Sequence, residues 1–452
     1  MSNSDILSAQ EALAQARGRV LLINPPVIDS RYEWIRWNQP LDLLKLGTKL
    51  TQERGCQVKL FDFMLPTPAG IVSRRQSHLN ADLPAGEPIR WQLGQSWEVF
   101  DDYLDALTSD DWVPDSVWIT TLTSFWWQTV PMVINRVKNK LKRPPVVLYG
   151  NYPALQTQHA AQFGGADIVV EKCLSDLAAS QADFTLYAER LPKFCALDLR
   201  CSQAFDEIAW AVKHGISHFV FFNDNIFKAF DSRLQPLLDR VVERKAASGK
   251  AWDIRFHGIC GVETHDFPLS HARLLAQAGF NELHLEPACK EGIVDEAHYR
   301  LVLEACEQAG FVERRGLGWE SRRHYLSGFM WIGRPDDDVD KLVWNALKLL
   351  QLVGMVIPKP YSPTPGTSDY TLLESQVEFI EPEDISPHRL PFAGHNRLAK
   401  DDYKELYRLT ALLNRKVRGH TFDFLGDTFL NKVIRESLAG RRWDVSSRRK
   451  SP

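Results

Sequence analysis

Polar and small residues follow several apolar runs in the N-terminal half of this 452-residue sequence. Hydroxyl, amide and backbone N–H groups in such loops bond to the polar edges of a ligand, and glycine lets a ligand approach the backbone closely. Two adjacent tryptophans add flat aromatic surface, although core packing is the commoner role of tryptophan. The candidate ligand-binding residues are Asn24, Pro25, Pro26, Asp62, Phe63, Thr121, Thr123, Ser124, Trp126, Trp127, Gly150, Asn151 and Tyr152.

Ionisable residues at the ends of apolar runs form a second candidate set. His257 and Glu286 each close such a run, and Asp224 follows another. Histidine exchanges protons near neutral pH, so we predict His257 as a general base and Glu286 as a residue that orients a donor or an acceptor. Asp224 is predicted to bind a ligand. The simpler interpretation, in which each is a solvated loop residue, stays open.

The first set of loops follows strands that alternate with helices. Continuous apolar runs between amphipathic helices are typical of a doubly wound, Rossmann-like parallel sheet, whose ligands bind beyond the carboxyl ends of its strands. The predicted strands are 19–24, 57–62, 116–121, 145–149 and 167–170, and the predicted helices are 42–54, 130–141 and one around His159. The segment 67–112 is irregular and long for a connection, which predicts a lid, a substrate loop or a plain surface insertion.

The second half repeats the alternation at barrel-like spacing. Six β–α units predict a partial (β/α)6 TIM-like barrel with its active site at the carboxyl ends of the strands. The predicted strands are 193–198, 217–223, 252–257, 282–286, 325–332 and 355–360, and the helices are 202–214, 234–247, 270–278, 296–309 and 338–352. Helices at 400–417 and 422–437 predict a small C-terminal helical region, and the basic end from 441 is predicted to be disordered.

These elements predict the organisation of the chain. An N-terminal extension covers residues 1–18, and the Rossmann-like domain covers 19–185. The partial barrel covers 186–375. The linker and helical region cover 376–452.

The loops of the first domain carry a family resemblance. Asn24-Pro25-Pro26, the stretch from Gln39 to Gly47, Asp62, the stretch 121–127 and the stretch 146–155 resemble the cobalamin-binding domain of radical S-adenosylmethionine enzymes. The resemblance covers residues 19–370 and includes the closing stretch 361–367. It implies that cobalamin is bound by the loop residues named above and by Gln39, with the nucleotide tail between the Ser/Thr-rich and glycine-rich loops. S-adenosylmethionine is a further candidate ligand, and in this family an acidic residue near Glu286 suits its ribose hydroxyls.

The sequence departs from that family in its metal chemistry. The family's Cys-x-x-x-Cys-x-x-Cys motif, which holds a [4Fe–4S] cluster, is absent, and strand 194–199 runs almost directly into the next helix. We therefore predict that the cluster loop is deleted, that no iron–sulfur cluster forms and that no residue ligates a metal. The alternative is an unorthodox cluster on Cys173, Cys195 and Cys201, which requires an exposed Cys195 side chain and a Cys173 close to it. Asp62 is not followed by a histidine that would ligate cobalt.

Bulk composition narrows the function classes. Hydrophobic residues make up 44% and charged residues 25% of the chain, the net charge is −3, and the seven cysteines are odd in number and scattered. A globular protein is expected, with no disulfide framework, no nucleic-acid partner and no membrane partner. No apolar run reaches the roughly 20 residues that span a bilayer, and the first 17 residues lack a signal core, so we expect a cytoplasmic protein.

Three functions fit these observations. The first is a non-radical cobalamin-dependent transferase that moves a methyl group in the cleft between its domains, on a small-molecule substrate that the sequence does not identify. The second is a non-catalytic cobalamin carrier or sensor that acts with a protein partner. The third is a radical enzyme with the unorthodox cluster. Loss of the cluster motif together with retention of the ligand loops favours the first.

Overall fold

The computed structural model describes residues 4–29, 39–66, 72–82, 89–190, 194–221, 225–263, 265, 267–290, 292–311, 313–315, 318–320, 325–334, 337–375, 381–385 and 400–418. The chain divides into two compact units, one of residues 1–191 with 362–389 and the other of residues 192–361 with 390–452. The segment 362–389, which the predicted boundaries divide between barrel and tail, therefore lies in the first unit. The predicted mixed α/β class with parallel sheets is confirmed.

The first unit alternates strands and helices from its beginning. Its elements are β1 (Asp5–Leu7), α1 (Ala9–Gln15), β2 (Arg19–Asn24), β3 (Val27–Asp29), α2 (Leu41–Arg54), β4 (Gln57–Asp62), β5 (Arg74–Gln76), β6 (Trp91–Leu93), α3 (Trp97–Ser109), β7 (Ser116–Thr121), α4 (Val130–Lys140), β8 (Val146–Gly150), α5 (Asn151–Leu155), α6 (Thr157–Phe163) and β9 (Ile168–Val170). Short 3₁₀ helices lie at His78–Asp82, Ser124–Thr129, Leu177–Ala179, Phe184–Arg190 and Pro382–Ile385.

The main sheet of this unit is parallel, with strand order β1-β9-β8-β7-β2-β4. Its central strands β2, β7 and β8 are buried on both sides because each face carries a separate apolar core. One core joins Leu21 and Ile23 to α3 and α4, and the other joins Val20 and Leu22 to α1 and α2. Strand order reverses between β2 and β7, so their carboxyl ends flank the point where such sheets bind ligands.

Two parts of the first unit differ from the prediction. The segment predicted to be irregular contains β5, β6 and α3, and β6 pairs with β3 and β5 in a small antiparallel sheet. Ser96 caps α3, and buried Phe100, Leu104 and Leu107 follow at helical spacing, a signal that the prediction overlooked. The N-terminal extension supplies β1, which pairs with β9 as an edge strand of the main sheet.

The second unit places strands and helices close to their predicted positions. Its elements are β10 (Phe194–Leu197), α7 (Ala204–Lys213), β11 (His218–Phe221), α8 (Gln235–Ser248), β12 (Arg255–Val262), α9 (Leu269–Ala278), β13 (Phe280–Leu285), β14 (Cys289–Lys290), β15 (Ile293–Val294), α10 (Glu296–Gln308), β16 (Glu313–Arg315), β17 (Gly318–Glu320), β18 (Tyr325–Ile332), α11 (Val339–Val353) and β19 (Val356–Pro360). Single turns lie at Ile226–Ala229, Phe230–Leu234 and Gly249–Trp252.

The strands β10, β11, β12, β13, β18 and β19 pair in parallel in that order. The hairpin of β16 and β17 adds to β18 in antiparallel fashion. The hairpin of β14 and β15 stands apart from this sheet and follows the carboxyl end of β13. Because the strands are parallel, the loops that follow β12, β13 and β18 meet at one edge.

Within the described part of the chain, two α-helices follow β19. Helix α12 (Ser368–Glu374) lies in the segment of the first unit, and α13 (Lys400–Arg418) belongs to the second unit. Asn414 of α13 bonds both backbone groups of Val356 in β19, at 2.9 and 2.8 Å. The predicted helix 422–437 and the basic end lie outside the described residues. Within the residues described above, every helix is too short or too polar to cross a membrane.

Candidate functional site

The candidate loops of the first unit do lie at one edge of its sheet. Asn24, Asp62, Thr121 and Gly150 are the last residues of β2, β4, β7 and β8, which are neighbours in the parallel sheet. The loops that follow these strands therefore leave the sheet side by side. We call this edge the carboxyl edge of the first sheet.

A buried carboxylate organises the carboxyl edge. One oxygen of Asp62 accepts hydrogen bonds from Asn24 Nδ2 at 2.7 Å and from the backbone N–H of Met64 at 2.9 Å. The other accepts from the hydroxyl of Tyr187 at 3.0 Å. Asn24 and Asp62 are buried, so these bonds fix the ends of β2 and β4 against each other. Asn24 and Asp62 therefore hold the strand ends in place, and their side chains expose little surface to a ligand.

Aromatic rings form a wall at the same edge. Trp127 stacks on Tyr152 with 6.0 Å between ring centroids and contacts the edge of His159 at 4.6 Å. His159 bonds the Tyr152 hydroxyl through Nδ1 at 2.7 Å and Glu381 through Nε2 at 3.1 Å. Glu381 lies in the 362–389 segment, so this late part of the chain completes the wall. Phe163 closes the wall on the outer side of His159.

The Ser/Thr-rich loop is tied to strand β3. Trp126 donates its indole N–H to Asp29 at 2.6 Å, and Thr121 donates its hydroxyl to the carbonyl of Thr123 at 2.8 Å. Ser124 is buried. In contrast, the hydroxyl of Thr123 is screened from solvent and has no hydrogen-bond partner within the described chain. An acceptor or donor atom of a ligand would satisfy this hydroxyl.

Gly150 is required by the protein backbone itself. Its φ of +102° disfavours any side chain, and a Cβ at this position would lie 2.1 Å from the hydroxyl of Thr120. The glycine therefore permits the tight turn from β8 into α5, whereas the sequence suggested a passage for a ligand. The next residue, Asn151, is exposed and donates to the carbonyl of Leu122 at 2.8 Å.

Several other predicted residues are buried in the fold. Pro25, Pro26 and Gln39 are buried, and the ring of Phe63 lies in the core between Phe61 and Phe100. The side chains of Pro25, Pro26, Gln39 and Phe63 thus present little surface to a ligand. The candidate side chains that do reach the surface of the edge are Thr123, Trp127 and Asn151.

Glu286 lies where the sequence predicted, just after the carboxyl end of β13. It lines a cavity of about 550 Å³ together with Glu263, His265 and His298. Its carboxylate lies 3.6 Å from Lys359, whose ammonium also lies 4.6 Å from the ring of Trp331. A Cβ on Gly261 would lie 1.8 Å from a Glu286 oxygen, so that glycine makes room for the carboxylate. The cavity is rich in acid–base groups.

His257 lies elsewhere. The strand predicted to end at His257 continues to Val262, because Ile259 and Val262 prolong the apolar run past Gly258. His257 is fully buried and faces other ionisable groups of the sheet, and it does not reach the mouth of the cavity. Its predicted position at the strand end is therefore wrong.

The surroundings of His257 form a closed network. Glu282 accepts from His257 Nδ1 at 3.3 Å and from His284 Nε2 at 2.8 Å, and His218 Nδ1 lies 3.0 Å from His257 Nε2. The other nitrogen of His284 faces the carbonyl of Ile259 at 3.1 Å, so each ring nitrogen of His284 lies beside an oxygen atom. The carboxylate of Glu282 is thus held between the rings of His257 and His284.

The proton states of this network follow from its burial. Burial by itself would raise the pKa of Glu282, but the hydrogen bonds from His257 and His284 outweigh it and lower that pKa to about 2. Burial, with the neighbouring His257, lowers the pKa of His218 to about 3. Glu282 is thus ionised and His218 neutral at physiological pH.

The cysteines of the unorthodox cluster are placed unfavourably for metal binding. Cys195 is only 1% exposed, and burial and then the nearby Glu207 raise the pKa of its thiol well above the usual range. Cys201 is buried and its Sγ lies 3.6 Å from a Glu207 oxygen. Among the residues that the structure describes, no cluster of three His, Cys, Asp or Glu side chains is arranged to hold a metal ion. Asp224 lies outside the described residues.

Sequence reasoning missed the residues that join distant parts of the first unit. Tyr187 reaches Asp62 across 125 positions, Asp29 reaches Trp126 across 97, and Glu381 reaches His159 across 222. Local pattern carries no signal for such pairs. The hint in the sequence was that Glu381 lies in the stretch predicted to be a linker, since functional residues are frequent in connecting segments.

Comparison with known proteins places the fold in a class. The fold resembles that of a radical S-adenosylmethionine methyltransferase, as the resemblance of the loops implied. No protein-family profile and no curated protein matches the sequence.

The similar structures are of TsrM from Kitasatospora setae. The structure with tryptophan substrate and the S-adenosylmethionine analogue aza-SAM bound has a TM-score of 0.52 and 13% identity, over 79% of this chain and 77% of that one. The structure with cobalamin and a [4Fe–4S] cluster bound has a TM-score of 0.50 and 13% identity, over 80% and 79%. At this identity the likeness shows the fold alone.

Proposed function

We propose that this chain binds cobalamin at the carboxyl edge of the first sheet and transfers a methyl group by polar chemistry, without an iron–sulfur cluster. The observation that carries the proposal is the unpartnered hydroxyl of Thr123 at the carboxyl edge, where the strand order reverses between β2 and β7. TsrM, whose fold is similar, is a methyltransferase with cobalamin bound in one structure. Support thus comes both from the site and from the fold.

The residues at this edge suit the nucleotide tail of cobalamin. Thr123 offers a hydroxyl and Asn151 an exposed amide, which together meet the polar edges of a nucleotide. Trp127, stacked on Tyr152, offers a flat apolar face beside them. Cobalamin would supply a cobalt centre that accepts and releases a methyl group. The Asp62 network holds the strand ends in place whether or not a ligand is bound.

A polar route balances without a cluster. With S-adenosylmethionine as donor, the methyl group leaves its sulfonium, the sulfur keeps the bonding electron pair, and S-adenosylhomocysteine is released. The accepting nucleophile gains the methyl group and loses a proton. Glu286, at the strand ends of the second unit, is the candidate to receive that proton or to orient the donor.

The absence of the three-cysteine motif supports the cluster-free proposal. The buried thiol of Cys195, with its raised pKa, adds support because a thiol must lose its proton to bind iron. Both observations favour the polar transferase over a radical enzyme.

The burial of His257 favours a second candidate function. A fully buried histidine in a closed network has no access to a substrate, so the predicted general base is missing from the surface. A cobalamin carrier or sensor needs no such base. The carrier or sensor would bind cobalamin at the same site as the proposed transferase but would not catalyse methyl transfer.

The test is a full-chain incubation with cobalamin, S-adenosylmethionine and a strong reductant. Iron and sulfide are assayed on the same sample. Release of S-adenosylhomocysteine without 5′-deoxyadenosine is expected for the polar transferase. Release of 5′-deoxyadenosine, with about four irons per chain, would establish the radical enzyme instead. Tight cobalamin binding without either product would establish the carrier.

A matched pair of variants tests the site. Thr123→Val keeps the shape of the side chain and removes its hydroxyl, and it should weaken cobalamin binding roughly tenfold. Ser109→Ala removes a hydroxyl at the exposed end of α3 and should leave binding unchanged. Equal affinities for the two variants would refute the role of Thr123.

A further inference from the structure

A groove opens at the opposite edge of the first sheet, where the strands begin. It has a volume of about 480 Å³ and lies between the C-terminal end of α1 and the first residues of β7, β8 and β9. Its floor is buried and includes Ser116, Trp118 and Val147, and its rim is exposed and includes Arg17 and Arg54. We call it the amino-edge groove. Ligands of parallel sheets normally bind at the other edge, so a built groove here calls for its own explanation.

Small residues on α1 create the space. Ala12 and Ala16 face the sheet, where larger side chains would fill the groove. Arg54 fixes the end of the helix by donating to the carbonyls of Ala14 at 2.7 Å and Ala16 at 3.4 Å. The groove is therefore held open by backbone contacts as well as by residue size.

Two buried polar groups on the floor have no partner. Trp118 is 1% exposed and Ser116 is 8% exposed, and neither the indole N–H nor the hydroxyl makes a hydrogen bond within the described residues. The two residues alternate on β7 and so project from the same face. Leaving such groups unbonded costs free energy, so native structures nearly always satisfy them. Both groups can donate, and an acceptor atom on a ligand would satisfy them.

The charged residues on the rim indicate a second property of the ligand, its charge. Arg17 and Arg54 are exposed there, and the one carboxylate on the rim, Asp115, already accepts the backbone N–H of Arg19 at 2.8 Å. The rim thus favours an anion, while Val147, Ile168 and the alanines favour an apolar body between rim and floor.

We propose that the amino-edge groove is a second ligand site, which takes a small aromatic carboxylate with an acceptor atom at the end opposite its carboxylate. The acceptor bonds Trp118 and Ser116, the ring lies on the apolar walls, and the carboxylate meets the rim arginines. The volume is within the usual range for small-molecule sites, about 300–1,000 Å³.

Titration calorimetry on the full chain tests the proposal with three probes. 4-Hydroxybenzoate carries both features, benzoate lacks the acceptor, and phenol lacks the carboxylate. Saturable binding is expected for 4-hydroxybenzoate and roughly tenfold weaker binding for each of the others. Absence of saturable binding at millimolar concentrations would show that the groove holds water only, which overturns the proposal.

Variants locate the binding. Ser116→Ala and Trp118→Phe should each weaken 4-hydroxybenzoate binding several-fold, and Ser116→Ala is small enough to preserve the fold. Trp344→Phe, at a half-exposed tryptophan of the second unit, is the control and should bind normally. Binding unaffected by both floor variants would place the probe elsewhere and refute the site. Cobalamin uptake, measured in parallel, reports on the opposite edge, so failure of one proposal is distinguishable from failure of the other.

Discussion

Replacing Glu282 by glutamine should destabilise the second unit strongly. The glutamine amide has one acceptor oxygen, whereas His257 and His284 both donate to the carboxylate of Glu282. One ring N–H would then face an NH₂ group and lose its acceptor. Leaving a buried hydrogen-bonding group unsatisfied costs about 1–3 kcal/mol. For a unit of this size each kcal/mol lowers the midpoint by roughly 2–4 °C, so we expect a drop of roughly 2–12 °C.

Thermal unfolding followed by calorimetry measures the effect, and the pH dependence tests its cause. The pKa of Glu282 is lower in the folded chain than in the unfolded one, so its stabilisation is complete above about pH 4.3 and is lost as the pH falls toward 2. The gap between wild type and Glu282→Gln should therefore be widest at neutral pH. Glu243→Gln, on the exposed face of α8, is the control and should shift stability by less than about 0.5 kcal/mol. A loss below about 0.5 kcal/mol in Glu282→Gln would refute the role of the Glu282 carboxylate as the acceptor for both rings.

Three further outcomes are expected. The pKa of His218 falls to about 3 on folding, so the stability of the folded chain decreases as the pH drops from about 6.5 to 3, by up to about 1.4 kcal/mol per pH unit. In acid denaturation, the difference in unfolding free energy between wild type and His218→Gln should change with pH at this rate. Gly150→Ala should destabilise the first unit by more than about 1 kcal/mol in urea, because the added Cβ meets Thr120 and the φ is positive; a neutral effect would contradict the geometry. In thiol labelling, exposed Cys289 should react in the native protein and Cys195 only after unfolding; rapid labelling of both would contradict the burial of Cys195.

Many strands of this fold were predictable because buried parallel strands form continuous apolar runs in the sequence. The strands 19–24, 57–62, 116–121 and 325–332 have the bounds that their apolar runs predict, since a buried parallel strand is apolar on both faces. The short edge strand β1 was missed because only three residues form it. Helix α3 was missed although its spacing was regular, because a long insertion was taken as irregular throughout.

The candidate site was predictable only in outline. That Asp62 and Gly150 end strands of one parallel sheet, and so lie at the same edge of it, follows from the alternation of strands and helices in the sequence. Which of the edge residues remain accessible depends on tertiary neighbours, and these took Phe63 into the core and His257 into a buried network. The strand that was predicted to end at His257 continues to Val262 and passes through Gly258 and Gly261.

The contact between His159 and Glu381 affects the order in which the first unit folds during synthesis. The two residues are separated by 222 positions, and residues 192–361 of the second unit lie between them. During synthesis, the first unit therefore emerges and collapses while its last segment is still untranslated. Glu381 can contact the aromatic wall only after residues 381–385 have left the ribosome. The wall is therefore completed only after the intervening chain has been synthesised. A nascent chain halted before this point would display Trp127 and His159 without their covering segment, to the advantage of any chaperone that binds exposed aromatic surface.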